Sequence, residues 1–441
     1  MATAGSRTGT APGRHVLVIL LLAYIFNFID RQIIGILAVP IKAELGLSNT
    51  QLGLMGGIAF AVFYSGLAIP IAWLADRKNR VNIIAASVAL WSAFTAACGL
   101  AQNFWQLFLA RMGVGIGEAG GVAPSYALIS DFYPKEKRAR ALAFFSLGIP
   151  IGSALGIFFG GWIASHLDWR SAFIIVGLAG LPIALLVRLL IREPARGGFD
   201  DGPSEAAPPL STVAATLARK PSFWLLSFGA ASGSILGYGL IFWLPSFFGL
   251  SFDMQAMTPI MEMLPAWFTG GGNPELLRVS VFYGSIVLVG GVAGTWLGGW
   301  LGDRVGPDDP GSYARIPAIC FLVAAPVFAI GLFAPTLWLG WLLFAIGQML
   351  ALAWLGPVIA AVQHIVPPSM RATASASFLF INNLIGIGFG IFFFGFMSDT
   401  MGPAFGDQSL KFSILFGLAF YLLSSAIYFV AAKRLKKDWV G

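Results

Sequence analysis

Apolar residues in this chain do not recur at i, i+3, i+4 with polar residues between, as on a helix with one face in water. They come instead in unbroken stretches parted by short polar breaks. About 20 such residues, wound as a helix, cover the roughly 30 Å of a bilayer's hydrocarbon core. The pattern predicts twelve membrane-spanning helices, at about 15–39, 50–73, 82–101, 104–130, 139–164, 170–191, 222–247, 279–301, 314–334, 337–363, 372–397 and 411–432. The first is too long for a signal-peptide core and lacks a convincing cleavage site, so it counts as a span. An even number of spans returns both termini to one side of the membrane.

Composition sharpens the reading. Of 441 residues, 57% are hydrophobic and 11% charged, where a soluble domain carries roughly a quarter charged. That leaves too little polar surface for a water-soluble enzyme or a disordered scaffold. Cys98 and Cys320 each sit in an apolar run, and His15, His166 and His364 are scattered. No disulfide framework, zinc motif or other metal site follows from them, and no cofactor is expected. Net charge is +7, distributed as topology rather than as a nucleic-acid surface. Lys42, Arg170, Arg278 and Lys411 fall on the side away from the termini, and Arg31 and Arg111 fall within spans, which leaves 21 of the 27 Lys and Arg on the terminal side. The positive-inside rule then predicts cytoplasmic termini, and a bacterial inner membrane is the expected location. Lys433-Arg434-Leu435-Lys436-Lys437 reads as an anchor beside anionic membrane lipid.

The one long polar stretch, Glu193–Pro221, reads as a flexible cytoplasmic linker over 192–221, between six-helix bundles at 1–191 and 222–441. The bundles repeat each other. Ala72-Trp73-Leu74-Ala75-Asp76-Arg77 recurs as Gly299-Trp300-Leu301-Gly302-Asp303-Arg304, and Pro134…Arg138-Ala139-Arg140-Ala141 as Pro367…Arg371-Ala372-Thr373-Ala374. A parallel repeat of this kind implies two similar bundles facing each other.

The loop Gly/Ala-x-Leu-x-Asp-Arg, present in both halves, resembles the signature of the major facilitator superfamily. Within it, Phe28-Ile29-Asp30-Arg31, Arg111…Gly115-Ile116-Gly117-Glu118-Ala119 and Ser130-Asp131-Phe132-Tyr133-Pro134 resemble the Spinster family of lipid transporters. The loop departs from the superfamily at Lys78-Asn79, where a glycine is usual. The resemblance implies an all-α membrane protein: twelve transmembrane helices in two six-helix bundles related by a pseudo-two-fold axis, working by rocker-switch alternating access. It also implies a coupling set at Asp30, Arg111 and Glu118, and ionic latches at Asp76 and Asp303 that hold the halves together when the outer side is open.

Small residues four apart mark faces where helix backbones approach closely. They occur in span 5 (Gly148, Gly152, Gly156, Gly160), span 8 (Gly290, Gly294, Gly298), span 2 (Gly53, Gly57, Ala61, Ser65) and span 11 (Gly386, Gly390). The expectation is a sliding interface between the halves.

Asp30, Arg31, Arg111 and Glu118 lie at membrane depth, all in the first half. A charge there costs at least about 2.5–3.5 kcal/mol unless paired or wetted, which makes each a functional candidate. Counted from the outer ends of their spans, Asp30 and Arg111 stand at matching levels, so a pair between them is expected. Glu118 lies two turns deeper on span 4, central and isolated, and Arg31 points about 100° away from Asp30. A buried carboxylate holds its proton more tightly without a cation beside it. If Arg111 leaves and rejoins Asp30 as the halves rock, Asp30 takes up and releases a proton each cycle, with the gradient as energy source.

The second half offers polar and aromatic groups only. The expected substrate contacts are Asn27, Arg31 and Ser125 from the first half and Tyr238, Phe242 and Asn382 from the second. A cytoplasmic gate is expected from Asp76, Arg77, Asp131, Arg138, Asp303, Arg304 and Arg371. One charged wall and one apolar, aromatic wall suit an amphiphilic or lipid-like substrate. The alternative is a soluble organic anion or drug, with Arg111 and Arg31 as anion sites. No Ser/His/Asp set or phosphate loop supports an enzyme; Gly113–Gly117 lies within a span and lacks the preceding strand a nucleotide site needs. A sensor that does not transport fits poorly with intact Asp-Arg loops in both halves. The outer loop 249–278, with Met254, Met257, Met261, Met263 and Trp267, reads as a short amphipathic cover. One chain supplies both halves, so a monomer suffices.

Overall fold

The computed structural model describes residues 13–75, 77–194, 209–305 and 309–440, and among these it contains helices and no strand. Twelve spans form in the predicted order. The first half comprises Arg14–Ile36, Asn49–Ala75, Arg80–Cys98, a broken fourth span (Phe104–Glu118 and Val122–Phe132), a fifth (Lys135–Ser146 and Gly148–His166) and Trp169–Leu190. The second comprises Pro221–Ser251, Pro274–Val305, Ser312–Leu332, a tenth span (Leu337–Leu352 and Leu355–His364), an eleventh from Arg371 to Phe405 and a twelfth (Ser409–Gly417 and Ala419–Asp438). The face carrying both termini is called the terminal face below, and the opposite one the distal face. Span 8 overruns its prediction. Its 32 residues make a rod of about 48 Å, longer than the hydrocarbon layer. Apolarity marks only the part in lipid, and the helix runs on because Asn273 accepts the Leu276 amide at 3.0 Å and caps it in polar surroundings. Part of the expected linker is also ordered: Leu210–Ala218 is a helix that packs on spans 7 and 11.

The repeat is visible in side-chain geometry. Arg138 Nε donates to the Ser130 carbonyl at 2.8 Å and Arg371 Nε to the Gln363 carbonyl at 3.1 Å, each eight residues back at the end of the preceding span. Arg77 lies over the Trp73 ring at 3.9 Å and Arg304 over Trp300 at 5.3 Å.

The glycine stripes correct one expectation. In span 5 they face span 1 of the same half: a Cβ on Gly152 would meet the Phe28 side chain, and one on Gly156 would lie 2.8 Å from Ile29 Cα. Gly386 and Gly390 of span 11 likewise face span 7, and Gly290, Gly294 and Gly298 of span 8 face span 10. Only the stripe of span 2 crosses to the other half, where Gly53 abuts Ile391 and Gly57 the Gly388 carbonyl. Four-residue spacing reports close approach, and three of these four stripes make theirs within a bundle. Gly156→Val is therefore expected to destabilise the first half by about 1–3 kcal/mol through overpacking. Thermal unfolding of the purified protein checks this, and an unchanged midpoint would mean that spans 1 and 5 have slack.

Where spans 2 and 11 cross, each is wound as a π-helix, over Leu54–Ile58 and Leu384–Phe389, and the two loosened turns face each other. Such turns recur at functional sites. Distal to this crossing the halves are bolted together. Asp399, near the end of span 11, accepts from the Asn49 amide at 3.2 Å, the Thr50 amide at 2.7 Å and the Thr50 hydroxyl at 2.6 Å, while Asn49 Nδ2 donates to Ser398 Oγ at 3.1 Å. The distal loop of the second half is tied to span 5, with Trp162 Nε1 donating to the Phe268 carbonyl at 3.2 Å and the Asn273 amide to the Ser165 carbonyl at 2.9 Å. Among described residues, every recorded hydrogen bond between the halves lies at the distal end.

Candidate functional site

Four charges meet in the middle of the first half, paired differently from the sequence expectation. Arg31 Nε donates to Glu118 Oε2 at 2.6 Å, with the two side chains 10% and 0% exposed. Glu118 is therefore not isolated, and Arg31 is not a bystander. Asp30 and Arg111 are 2% and 1% exposed yet form no contact ion pair. Asp30 Oδ1 and Arg111 Nε and Nη1 have no hydrogen-bond partner among the described residues. The reason is azimuth. Level matching fixed the height of Asp30 but not its direction, and its carboxylate faces Trp91 and Thr95 of span 3. The next residue, about 100° round the helix, turns toward spans 2 and 4, where a long arginine reaches down to Glu118.

Aromatic rings hold that arginine. The Arg31 guanidinium lies 5.0 Å from the Phe28 ring, 5.1 Å from Phe60 and 4.4 Å from Tyr64, and Phe60 also stands 5.4 Å from Arg111. Each desolvated cation–π contact contributes up to about 2 kcal/mol. Phe60 and Tyr64, both on span 2, were missed from sequence because aromatic residues within spans are common. Their spacing of four, one turn beside a buried arginine, was the available signal.

The second half faces this cluster with Tyr238, whose ring neighbours Arg31 and Tyr64 and whose hydroxyl reaches Asn383 Oδ1 at 3.5 Å. Asn382 is 3% exposed; it accepts from Ser234 at 2.7 Å and donates to Asn383 at 3.3 Å, so it orients its neighbour from behind. Phe242 is 3% exposed and sits over Gly35 of span 1 and Gly56 of span 2, as part of the contact between halves. Asn27 and Ser125 are buried inside the first half beside Tyr24, Trp91 and Phe145.

Of the expected gate, Asp76 lies outside the described residues. Asp131 pairs with Arg80 at 2.6 Å, and Arg80 also holds Glu193 at 2.6 Å. Glu193 Oε2 in turn accepts from the Arg80 and Val81 amides and caps span 3. Arg80 and Glu193 are gate neighbours that the sequence reading did not single out. Among described residues no ion pair crosses between the halves at the terminal face.

The sequence profile of the Major Facilitator Superfamily matches residues 20–391. The chain belongs to the major facilitator superfamily. It is a membrane transporter by family and not an enzyme. Its relatives include an "MFS-type efflux pump" of Mycolicibacterium smegmatis, 32% identical over 95% of this chain and 92% of the relative, and human "Protein spinster homolog 1", 28% identical over 97% and 83%. Two crystal structures of a bacterial homologue of the human lysosomal transporter Spinster are also similar. The inward-facing, unoccupied form has a TM-score of 0.84 at 31% identity, covering 99% of this chain and all of that one; the inward-facing, occupied form has 0.81 at 31%, covering 98% and all. Within the superfamily the chain groups with the Spinster proteins. For a major facilitator, hydrogen bonds that join the halves at the distal end describe halves that are closed at that end.

Proposed function

We propose that this protein is a proton-coupled secondary transporter of an amphiphilic or lipid-like substrate, worked by rocker-switch alternating access, with the terminal face in the cytoplasm of a bacterial cell. The observation that carries the reading is the split among the four buried charges. Arg31 is committed to Glu118, while Asp30 and Arg111, although close by, form no ion pair with each other, and Asp30 Oδ1 and Arg111 Nε and Nη1 have no hydrogen-bond partner among the described residues. Unpaired charges at this depth are too costly to keep for packing alone. A proton on Asp30 substitutes for Arg111 as its countercharge, so proton occupancy and the position of Arg111 are linked. Arginine suits the switching part because it stays charged throughout.

A head group meets Arg31 and Glu118 on the first half, and a tail meets Tyr238 and the apolar wall of the second. The resemblance to Spinster proteins supports the lipid-like class. The efflux-pump relative favours a second reading, proton-coupled transport of soluble organic anions or drugs, in which Arg31 and Arg111 bind the anion. Arg77, Arg138, Asp131, Asp303, Arg304 and Arg371 would then close the terminal face once the distal one opens.

The test uses proteoliposomes with an imposed pH gradient and lysolipids, sphingoid phosphates, soluble organic anions and cationic drugs as probes. Gradient-driven movement of a lysolipid or sphingoid phosphate that Asp30→Asn abolishes is the expected result. Movement of soluble ions alone favours the second reading, and uptake insensitive to both the gradient and Asp30→Asn overturns proton coupling.

A further inference from the structure

At the terminal face, between the start of span 3 and the end of span 6, lies an open cleft of about 290 Å³ whose lining includes Asn79, Asn82, Arg188, Leu189, Arg192 and Glu193. That is the low end of small-molecule sites, roughly 300–1,000 Å³. Its one carboxylate is spent: Glu193 Oε1 accepts from Arg80 Nε at 2.6 Å, and Oε2 from the Arg80 and Val81 amides at 2.9 and 3.2 Å. Its two cations are not. Arg188 and Arg192 are exposed, and neither takes part in a hydrogen bond or ion pair among the described residues. Asn79 Oδ1 accepts from the Asn82 backbone N–H at 2.8 Å, so both asparagine side chains keep their NH2 groups as donors. The backbone around Arg192 is fixed. Past the end of span 6 it is extended at Ile191, with φ −98° and ψ 128°, and the Ile191 side chain is buried. Arg192 therefore stands between a buried side chain and a carboxylate anchored by three hydrogen bonds.

The cleft is continuous with the lipid-facing surface. Leu189, in its lining, is 72% exposed, and Leu185, one turn back on the same side of span 6, is 61%. On a membrane transporter such leucines lie against acyl chains. Arg188 is two residues from the end of span 6, about 3 Å along the axis, which puts it at head-group level. We propose that this cleft binds the phosphate of an anionic phospholipid from the terminal leaflet, with the acyl chains running along Leu185 and Leu189. A guanidinium fork meets two phosphate oxygens at once, and the two asparagines add neutral donors beside the pair of arginines. Glu193 does not oppose the anion, because Arg80 already neutralises it. A bound head group ties the end of span 6 to the start of span 3, away from the buried charges. The site stands independently of proton coupling and of what the protein carries.

The test is native mass spectrometry of the full chain released from detergent micelles and titrated with phosphatidylglycerol, phosphatidylcholine, glycerol phosphate or inorganic phosphate. Phosphatidylglycerol is expected to be retained more tightly than phosphatidylcholine. Arg188→Gln combined with Arg192→Gln is expected to weaken its binding about thirtyfold, equivalent to about 2 kcal/mol. Lys433→Gln combined with Arg434→Gln removes the same charge from the tail on the same face, and a loss of less than about threefold is expected there. Arg188→Lys combined with Arg192→Lys is expected to lose part of the affinity, because lysine offers a point charge and no fork. Thermal unfolding without lipid checks that each variant is folded. Equal retention of the two phospholipids, or an equal loss in the tail variant, overturns the site. Phosphate or glycerol phosphate held through Arg188 and Arg192 with no preference for the lipid overturns the membrane as its source.

Discussion

Arg31→Leu is expected to destabilise the protein by about 3–5 kcal/mol and to abolish transport, because it strands the fully buried Glu118 carboxylate without its cation. The size comes from the asymmetry of buried ion pairs: forming one contributes little net stability, whereas removing one partner leaves a charge that neither water nor protein compensates. Glu118→Gln is expected to be milder, since a neutral amide still accepts from Arg31 Nε and the guanidinium keeps its three rings. The double replacement Arg31→Leu with Glu118→Leu is expected to recover most of the lost stability and none of the transport. Thermal unfolding in detergent, run beside uptake into proteoliposomes, separates the two effects. Equal destabilisation in the single and double variants would mean that the pair is not what holds spans 1 and 4 together.

Asp399→Ala is expected to release the distal face. The carboxylate accepts the Asn49 and Thr50 amides and the Thr50 hydroxyl, while Ser48 and Gln51 satisfy each other in a capping box one residue away. The start of span 2 in one half is thus capped by a side chain of the other, and the helix dipole adds to the attraction. Hydrogen bonds to a charged group contribute about 1.5–3 kcal/mol each. A net loss of about 3 kcal/mol shifts the ratio of distally closed to distally open molecules more than a hundredfold. Asp399→Asn keeps the shape and loses the charge, so a smaller shift in the same direction is expected. Spin labels on the distal ends of spans 2 and 11 report it as a new, longer distance population. Unchanged distances in Asp399→Ala would show that the π-wound crossing and Phe242 hold the face closed without the carboxylate.

Much of the architecture was legible because bilayer physics leaves few options. Unbroken apolar runs become spans, and the duplicated Trp-Leu-x-Asp-Arg loops announce two halves, which the matched Arg138 and Arg371 geometry bears out. The four buried charges were found for the same reason, since nothing else among the described residues places ions at that depth. Their pairing was not legible. Height along a helix follows from counting residues, whereas direction depends on how each span is rotated against its neighbours, and that is set by packing across spans 2 and 3. The glycine stripes failed similarly: a spacing of four shows that something approaches closely, and span 1 is as good a candidate as span 8. Asp399 was invisible for another reason. Its partners lie some 350 positions earlier, and a lone aspartate at the end of a span resembles any other polar loop residue.

The confinement of buried charge to one half bears on how such a protein can change over generations. After a duplication, both copies are free to diverge only where neither is tied to the energy source. Here the first half carries the ionic cluster, in which almost any exchange strands a charge. The second presents aromatic and amide groups, Tyr238, Asn382 and Asn383, whose replacement alters shape and hydrogen bonding but leaves every ion in place. If the proposed coupling holds, random substitution across the chain should kill through the first six spans and retune cargo preference through the last six, so that one duplicated unit would serve as the engine and the other as an exchangeable grip.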